Sequence, residues 1–519
     1  MKRFLALLLC LAIMGIRAPS AACFVFTSTP SFQAPSSPDR TIVIISDLHL
    51  GPGRNADGSW YRTEDFRWGK ALKAFLDDIS QKRTHHVDLI IAGDFLDMWQ
   101  PPAHIRCEGA GPELGCTAAE MKTVASWTVG AHAQVFEDLR MFSQRGDNRL
   151  HIIPGNHDAA LLIASVWEPL GKALAADGGR VNFAASGVWV SADGGIVVEH
   201  GHQIGSDANR YETWPHIVRS RDNREFIIRP WGEQFVQKIF NDQEMSYPVI
   251  DNLSPESAGL QYRMEDRGIW GSAADVAMFV AFSLFQTSLQ QQVQFLGAGR
   301  SPEDRPDWDI LKARNHGHRL FAAALPPESA IRASLIEKND RAAAVRRELD
   351  ALAFDPKRLP DGNVKMLCDQ AAIRGNPVCA TPELGYALER FLVPREWVIA
   401  SHLAQRQKEF PKMRYFVYGH THLLEESWKP GGVSGVDVLN SGAFHRVIDE
   451  DGFLKRAESR GVSPGEALRR ITVEELPPCY TYVLVSGEKG VFKLEVWNWV
   501  MQESDNTGRV ASPRDKVGR

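Results

Sequence analysis

Five short sets of residues able to ligate a metal recur along the chain: Asp47-Leu48-His49, Gly93-Asp94-Phe95-Leu96-Asp97, Gly155-Asn156-His157-Asp158, His200-Gly201-His202 and Gly419-His420-Thr421-His422. Carboxylate and amide oxygens suit hard divalent ions and imidazoles suit borderline ones, so together the sets have the composition of a two-metal hydrolase centre. Each set follows a short apolar run: Thr41 to Ile45, Val87 to Ile91, Leu150 to Ile153, Ile196 to Val198 and Tyr415 to Tyr418. These runs predict buried strands. A polar group just past the C-terminal end of a buried strand lies on the sheet rim, so five such strands can gather distant residues into one crevice.

The order and wording of the sets resemble the calcineurin-like metallophosphoesterase superfamily, whose pattern is D-x-H, G-D-x-x-D, G-N-H-D/E, a strand ending in His-Gly, then G-H-x-H. The resemblance covers residues 41–205 and 411–445. A chance match to five ordered motifs is far rarer than a match to one short pattern. It implies an α/β fold, a four-layer αββα sandwich, with two divalent metal ions drawn from Mn, Fe, Zn or Co. By resemblance Asp47, His49 and His422 hold the first metal, Asn156, His200 and His420 the second, and Asp94 bridges both. The chemistry favours the same division, because a carboxylate can share its oxygens between two cations whereas a neutral imidazole offers one lone pair to one metal. Such a pair of ions activates water for attack on a phosphoryl group. His157 resembles the residue that protonates the leaving oxygen, with Asp97 accepting its other ring proton. Asp158 is placed as a further polar brace.

Each residue alone has an ordinary explanation. Asp47 could cap a helix, Asp97 or Asn156 could sit in a turn, and Gly93, Gly155 and Gly419 could mark strand ends. Five coincidences in order are needed to sustain those explanations together. For His104, His132, His202 and His445, which fill no slot in the pattern, a structural or substrate-facing role is expected instead. Arg54, in Gly51-Pro52-Gly53-Arg54-Asn55, is either a phosphate contact or a solvated loop residue.

Residues 1–22 read as an export signal: Lys2 and Arg3, an apolar run from Phe4 to Ile16, then small residues up to Ala22. That run is shorter than the roughly 20 residues a spanning helix needs, so the mature chain is expected to have no transmembrane helix. The expected location is periplasmic or extracellular, with Cys23 offering a lipid anchor as the alternative to a soluble chain. Cys107 with Cys116, and Cys368 with Cys379, flank short loops and suit local disulfides, leaving Cys23 and Cys479. The net charge is -5 and the charges are interspersed, so nothing in the charge recommends nucleic acid as a partner.

The stretch between the His200 and Gly419 sets is far longer than one crossover requires. The expected organisation is a leader at 1–22, a linker at 23–40, a first core segment at 41–205, a mainly helical insertion or cap at 206–393, a second core segment at 394–500 and a tail at 501–519. Within the insertion, Trp214, Trp231, Trp270 and Trp308 could line an apolar subsite or simply pack a core. The runs Tyr480 to Val485 and Val491 to Trp497 predict a hairpin completing the second sheet.

The motifs around Asp47 and Asp94 are also similar, more weakly, to the UDP-2,3-diacylglucosamine pyrophosphatase-related branch. The export signal and the large insertion depart from that branch, so its substrate is not carried over. The leading expectation is an exported phosphoesterase acting on a phosphomonoester, phosphodiester or pyrophosphate, with a small-molecule or lipid-linked substrate. The alternatives are a metal-containing surface binding protein and an intracellular nucleotide phosphodiesterase.

Overall fold

The computed structural model describes most of residues 40–267 and 395–500. The expected leader, linker and tail, Cys23, Cys368, Cys379, Trp270, Trp308 and the insertion beyond residue 267 lie outside the described residues. In chain order the strands are β1 (Thr41–Ile45), β2 (Val87–Ala92), β3 (Leu114–Thr117), β4 (Arg149–Ile153), β5 (Val181–Phe183), β6 (Val188–Val190), β7 (Ile196–Glu199), β8 (Val218–Arg221), β9 (Arg224–Ile228), β10 (Leu253–Ser254), β11 (Tyr415–Tyr418), β12 (Leu424–Trp428), β13 (Asp437–Ser441), β14 (Ile448–Asp449), β15 (Cys479–Glu488) and β16 (Val491–Val500).

Two sheets form the core. One has the order β16-β15-β1-β2-β4-β5, the other β12-β13-β11-β7-β6. Strands β1, β2, β4 and β5 run parallel, as do β7, β11 and β13. The alternation along β1 shows why its sequence is apolar throughout. Ile42 and Ile44 pack against Val198, Val417 and Leu439 of the facing sheet. Val43 and Ile45 instead meet Leu72 and Phe75 of helix α1 (Gly69–Lys82). A strand buried on both faces needs no polar alternation.

Helices α2 (Ala118–Ala131), α3 (Ala133–Gln144) and α4 (Ala164–Ala173) complete the layer beside α1. On the far side, Ile399 and Leu403 of helix α5 (Arg395–Glu409) cover Val197, Phe416 and Val438. The result is helix, sheet, sheet, helix: the expected αββα sandwich. Among the described residues no helix is long and apolar enough to cross a membrane.

One expectation is corrected. The β15–β16 hairpin joins the first sheet, because β15 pairs antiparallel with β1, Val43 opposite Leu484. Left unpaired, that edge of β1 would carry a row of unsatisfied backbone N–H and C=O groups in a strand buried on both faces, so it requires a partner strand. In the described start of the insertion, β8 and β9 form a hairpin that pairs with β3, and short helices follow at Trp231–Phe235 and Asn241–Glu244. The hairpin's turn residues Asp222 and Asn223 both have positive φ, 51° and 59°. That is the conformation a two-residue hairpin turn requires and that Asp and Asn tolerate. The loop leading to β3 is closed by a Cys107–Cys116 disulfide, and Cys479 is disulfide-bonded as well.

Candidate active site

The five sets leave the C-terminal ends of β1, β2 and β4 in one sheet and of β7 and β11 in the other. The crevice therefore lies where two sheet rims meet, rather than along a single rim. The chain turns sharply as it enters the crevice: Asp47, His49, Asp94, His420 and His422 have φ of 53°, 54°, 48°, 71° and 54°. Left-handed backbone at a residue with a Cβ costs of order 1–3 kcal/mol and persists only where the surroundings enforce it. Here the turn after β1 is tied to the turn after β2, with Leu48 and His49 N–H both donating to the Asp94 carbonyl at 2.9 Å.

Glycines give the ligands room to approach. A Cβ on Gly93, itself at φ 89°, would lie 2.4 Å from the His200 ring, and one on Gly155 would lie 2.1 Å from Asp94 Oδ1. These glycines do more than end strands: they let neighbouring loops touch.

His200 carries the chemistry of the centre. Its Nδ1 donates to the Ala92 carbonyl at 2.9 Å, which leaves the neutral ring's lone pair on Nε2. That Nε2 lies 3.0 Å from Asp94 Oδ2 and 3.0 Å from Asn156 Oδ1. Three acceptor atoms thus converge in a buried space, which suits a shared cation. On the other side, His49 Nε2 is 3.2 Å from His422 Nε2, and His422 Nε2 is 3.4 Å from Asp47 Oδ1. Asp94 Oδ2 is also 3.8 Å from His49 Nε2, so this carboxylate reaches both groups. Asp47-His49-His422 and Asp94-His200-His420 each place three ligand atoms within 4.8 Å of one another. A third trio of the same kind, His49-Asp94-His157, lies between them.

The electrostatics follow from this crowding. Burial works against ionisation of Asp94, but His200, His157 and His49 hold its carboxyl well below the usual range. Asp47 is likewise lowered against burial, by His200 and His422. Burial opposes a charged His200, yet Asp94 and Asp47 raise it to about 10. The field that attracts a proton there also attracts a metal cation. His49 is held well below its ordinary value by burial and by His157.

His157 stands at the crevice mouth, where its Nδ1 is 2.9 Å from Asp97 Oδ1 and its ring stacks on Trp99 at 4.1 Å. Burial lowers its basicity, but Asp97 and Asp94 outweigh that and lift it to about 9. Asp158 accepts from the N–H groups of Phe95, Leu96 and Gly155, binding the second set to the third. Burial and the nearby Asp94 push its carboxyl up to about 7.

The structure thus brings together Asp47, His49, Asp94, Asn156, His200, His420 and His422, with the His157–Asp97 pair beside them. The histidines outside the pattern divide. His132 lies 3.2 Å from Glu64 Oε2, and Glu64 accepts from Gly51 and Gly53, so this pair shapes the loop after β1. His104 packs on Trp127 and His202 on Trp214, each at 4.4 Å. His445 is drawn into the cluster: its Nδ1 donates to the Asp47 carbonyl at 2.7 Å and its ring lies 4.8 Å from that of His422. Burial and His422 lower it to about 3. Arg54 stacks over Trp60 at 3.6 Å and donates to Gly58 O, which commits it to its own loop.

Tyr211 and Glu199 escaped the sequence reading. Tyr211 OH donates to the Asn156 carbonyl at 3.2 Å. Glu199 precedes His200 and binds His402 and Arg406 of α5, tying that helix to the strand that delivers a site histidine. A position directly before His200 was the available signal for Glu199. Nothing local marks Tyr211.

No curated protein matches the chain significantly. Residues 40–262 match the family model of the calcineurin-like phosphoesterases, a span that contains every site residue named above from Asp47 to Tyr211. His420 and His422 lie beyond that span and join the site through the second sheet. The chain carries a calcineurin-like phosphoesterase domain.

Proposed function

We propose that this chain is an exported, two-metal phosphoesterase that hydrolyses a phosphomonoester, phosphodiester or pyrophosphate. The observation that carries the reading is the convergence of His200 Nε2, Asp94 Oδ2 and Asn156 Oδ1, three buried acceptors that a divalent cation would satisfy together. Asp47, His49 and His422 would hold one ion, Asn156, His200 and His420 the other, with Asp94 between them. When bound, such ions lower the pKa of water and neutralise charge on phosphoryl oxygens. Mixed nitrogen and oxygen donors fit Mn, Fe, Zn or Co.

The chain's own residues supply the rest. Asp97 fixes the His157 ring through Nδ1, leaving Nε2 to carry a proton toward the leaving oxygen. Trp99 supports the face of that ring, where an aromatic surface also favours the imidazolium form. Export rests on the leader-like residues 1–22, and the insertion is the natural place for substrate selection.

The test is hydrolysis of p-nitrophenyl phosphate and bis-p-nitrophenyl phosphate by the Mn-loaded mature chain, with Asp94→Ala alongside. Metal-dependent turnover that disappears in the variant supports the reading, and the preferred compound separates monoester from diester chemistry. Two bound metals with no turnover of any phosphoester would favour the binding-protein alternative.

A further inference from the structure

The peptide joining Asn156 to His157 links a candidate metal ligand to the candidate proton donor, and it is held from both sides. Its N–H, on His157, donates to Asp94 Oδ1 at 2.9 Å. Its carbonyl, on Asn156, accepts from Tyr211 OH at 3.2 Å. Trp99 lies under the His157 ring, and its own main-chain N–H donates to Asp97 Oδ1 at 3.0 Å. A connected chain results: Tyr211 to the Asn156–His157 peptide, His157 to Asp97, and Asp97 to Trp99. Asp97 restrains the His157 ring through Nδ1, and Trp99 restrains its face.

We infer that Tyr211 is a positioning residue for proton donation, its hydroxyl setting the orientation of His157 relative to the metal ligands through the shared peptide. The inference rests on the phosphoesterase reading. It assigns part of the machinery to the segment that follows the His200 set, so the chain beyond the five motifs shapes the chemistry as well as the substrate. Tyr211 is buried, and its ring contacts with Trp214 and His202, at 5.7 and 6.0 Å between centroids, would survive loss of the hydroxyl. Tyr211→Phe therefore isolates the hydrogen bond to the Asn156 carbonyl from the packing.

The experiment measures kcat for a series of aryl phosphates of rising leaving-group pKa, using the metal-loaded wild type, Tyr211→Phe, His157→Ala and the double variant, with metal content and melting temperature in parallel. Tyr211→Phe is expected to retain both metals and to lower kcat about tenfold for the poorest leaving group, with under about twofold change for p-nitrophenyl phosphate. In the His157→Ala background the tyrosine change is expected to add nothing, because there is no donor left to position. A uniform loss across the series, a loss that multiplies with His157→Ala, or loss of metal would each overturn the positioning role. A wild type inactive on the whole series, on the matching aryl phosphodiesters and on pyrophosphates would instead overturn the phosphoesterase reading, and this inference with it.

Discussion

His49 and His422 face each other through their Nε2 atoms at 3.2 Å, one delivered by β1 of the first sheet and the other by β11 of the second. A proton on either Nε2 makes this contact a hydrogen bond, and a divalent cation accepted by both lone pairs would replace it with a stronger link between the sheets. Metal binding should therefore stabilise the sandwich as well as activate it. Mn added to metal-free protein at about 100 times its Kd is expected to contribute about 2.7 kcal/mol. That corresponds to a rise in Tm of roughly 5–10 °C for a domain of this size. His422→Ala should shrink the rise. A melting curve indifferent to Mn, Zn, Co and Fe would count against a metal at this joint.

Asp94 and His157 should separate by phenotype. Asp94 Oδ2 reaches both candidate groups, so Asp94→Ala is expected to lose most metal and activity together. His157 is tied to Asp97 and Trp99, so His157→Ala should keep its metals while turnover falls by about 10²–10⁴, least for substrates with good leaving groups. Elemental analysis beside the kinetics decides the matter: metal loss in His157→Ala would make this histidine a ligand, as its place in the His49-Asp94-His157 trio allows.

The close approach of Gly155 to Asp94 predicts that the smallest substitution is damaging. A Cβ there would sit 2.1 Å from Asp94 Oδ1 and 2.5 Å from the Asp94 backbone nitrogen. Gly155→Ala must push the third set away from the second, so metal content and activity should fall together, with stability lower by about 1–3 kcal/mol. Normal metal content in a folded Gly155→Ala protein would show that the loops have slack.

Glu199 is buried, with Arg406 on one oxygen and His402 on the other. These partners hold its carboxyl below the ordinary range against the burial that would raise it. Arg406→Ala removes the permanent counter-charge and should cost about 3 kcal/mol, because the cost of a broken buried pair is dominated by the charge left behind. Arg406→Ala with Glu199→Gln should recover part of that loss. Chemical denaturation of the four proteins in the cycle gives the coupling directly.

The ligand sets were legible because each is a local pattern, an apolar run followed by Asp, Asn or His, and because their order is distinctive. What lay beyond reading was pairing between distant segments. Val43 and Leu484 are both apolar strand residues, and neither shows that β15 joins β1 instead of the second sheet. Likewise His445 looked like any lone histidine, since its role depends on where the loop after β13 meets Asp47. The hairpin turn at Asp222-Asn223 was readable in principle, but the charged residues of β8 and the helical expectation for the insertion obscured it.

Asp88 and Arg40 give the pH dependence. The Arg40 guanidinium lies 2.7 Å from Asp88 Oδ1, and His151 Nε2 lies 3.5 Å from the same oxygen, at the end of β2 away from the crevice. Burial would raise the Asp88 carboxyl, but His151 and Arg40 hold it below its ordinary value of 3.8. A depressed folded pKa means that the unfolded chain binds the proton more tightly. The pair's contribution is thus fully present above the unfolded value and is lost as pH falls through the folded one. Arg40→Ala should cost about 1–2 kcal/mol at pH 7, and the gap to wild type should narrow progressively below about pH 4. Denaturant midpoints from pH 7 to pH 2.5 test this, and a gap that stays constant across the range would assign the cost of the substitution to lost packing instead of the charge pair.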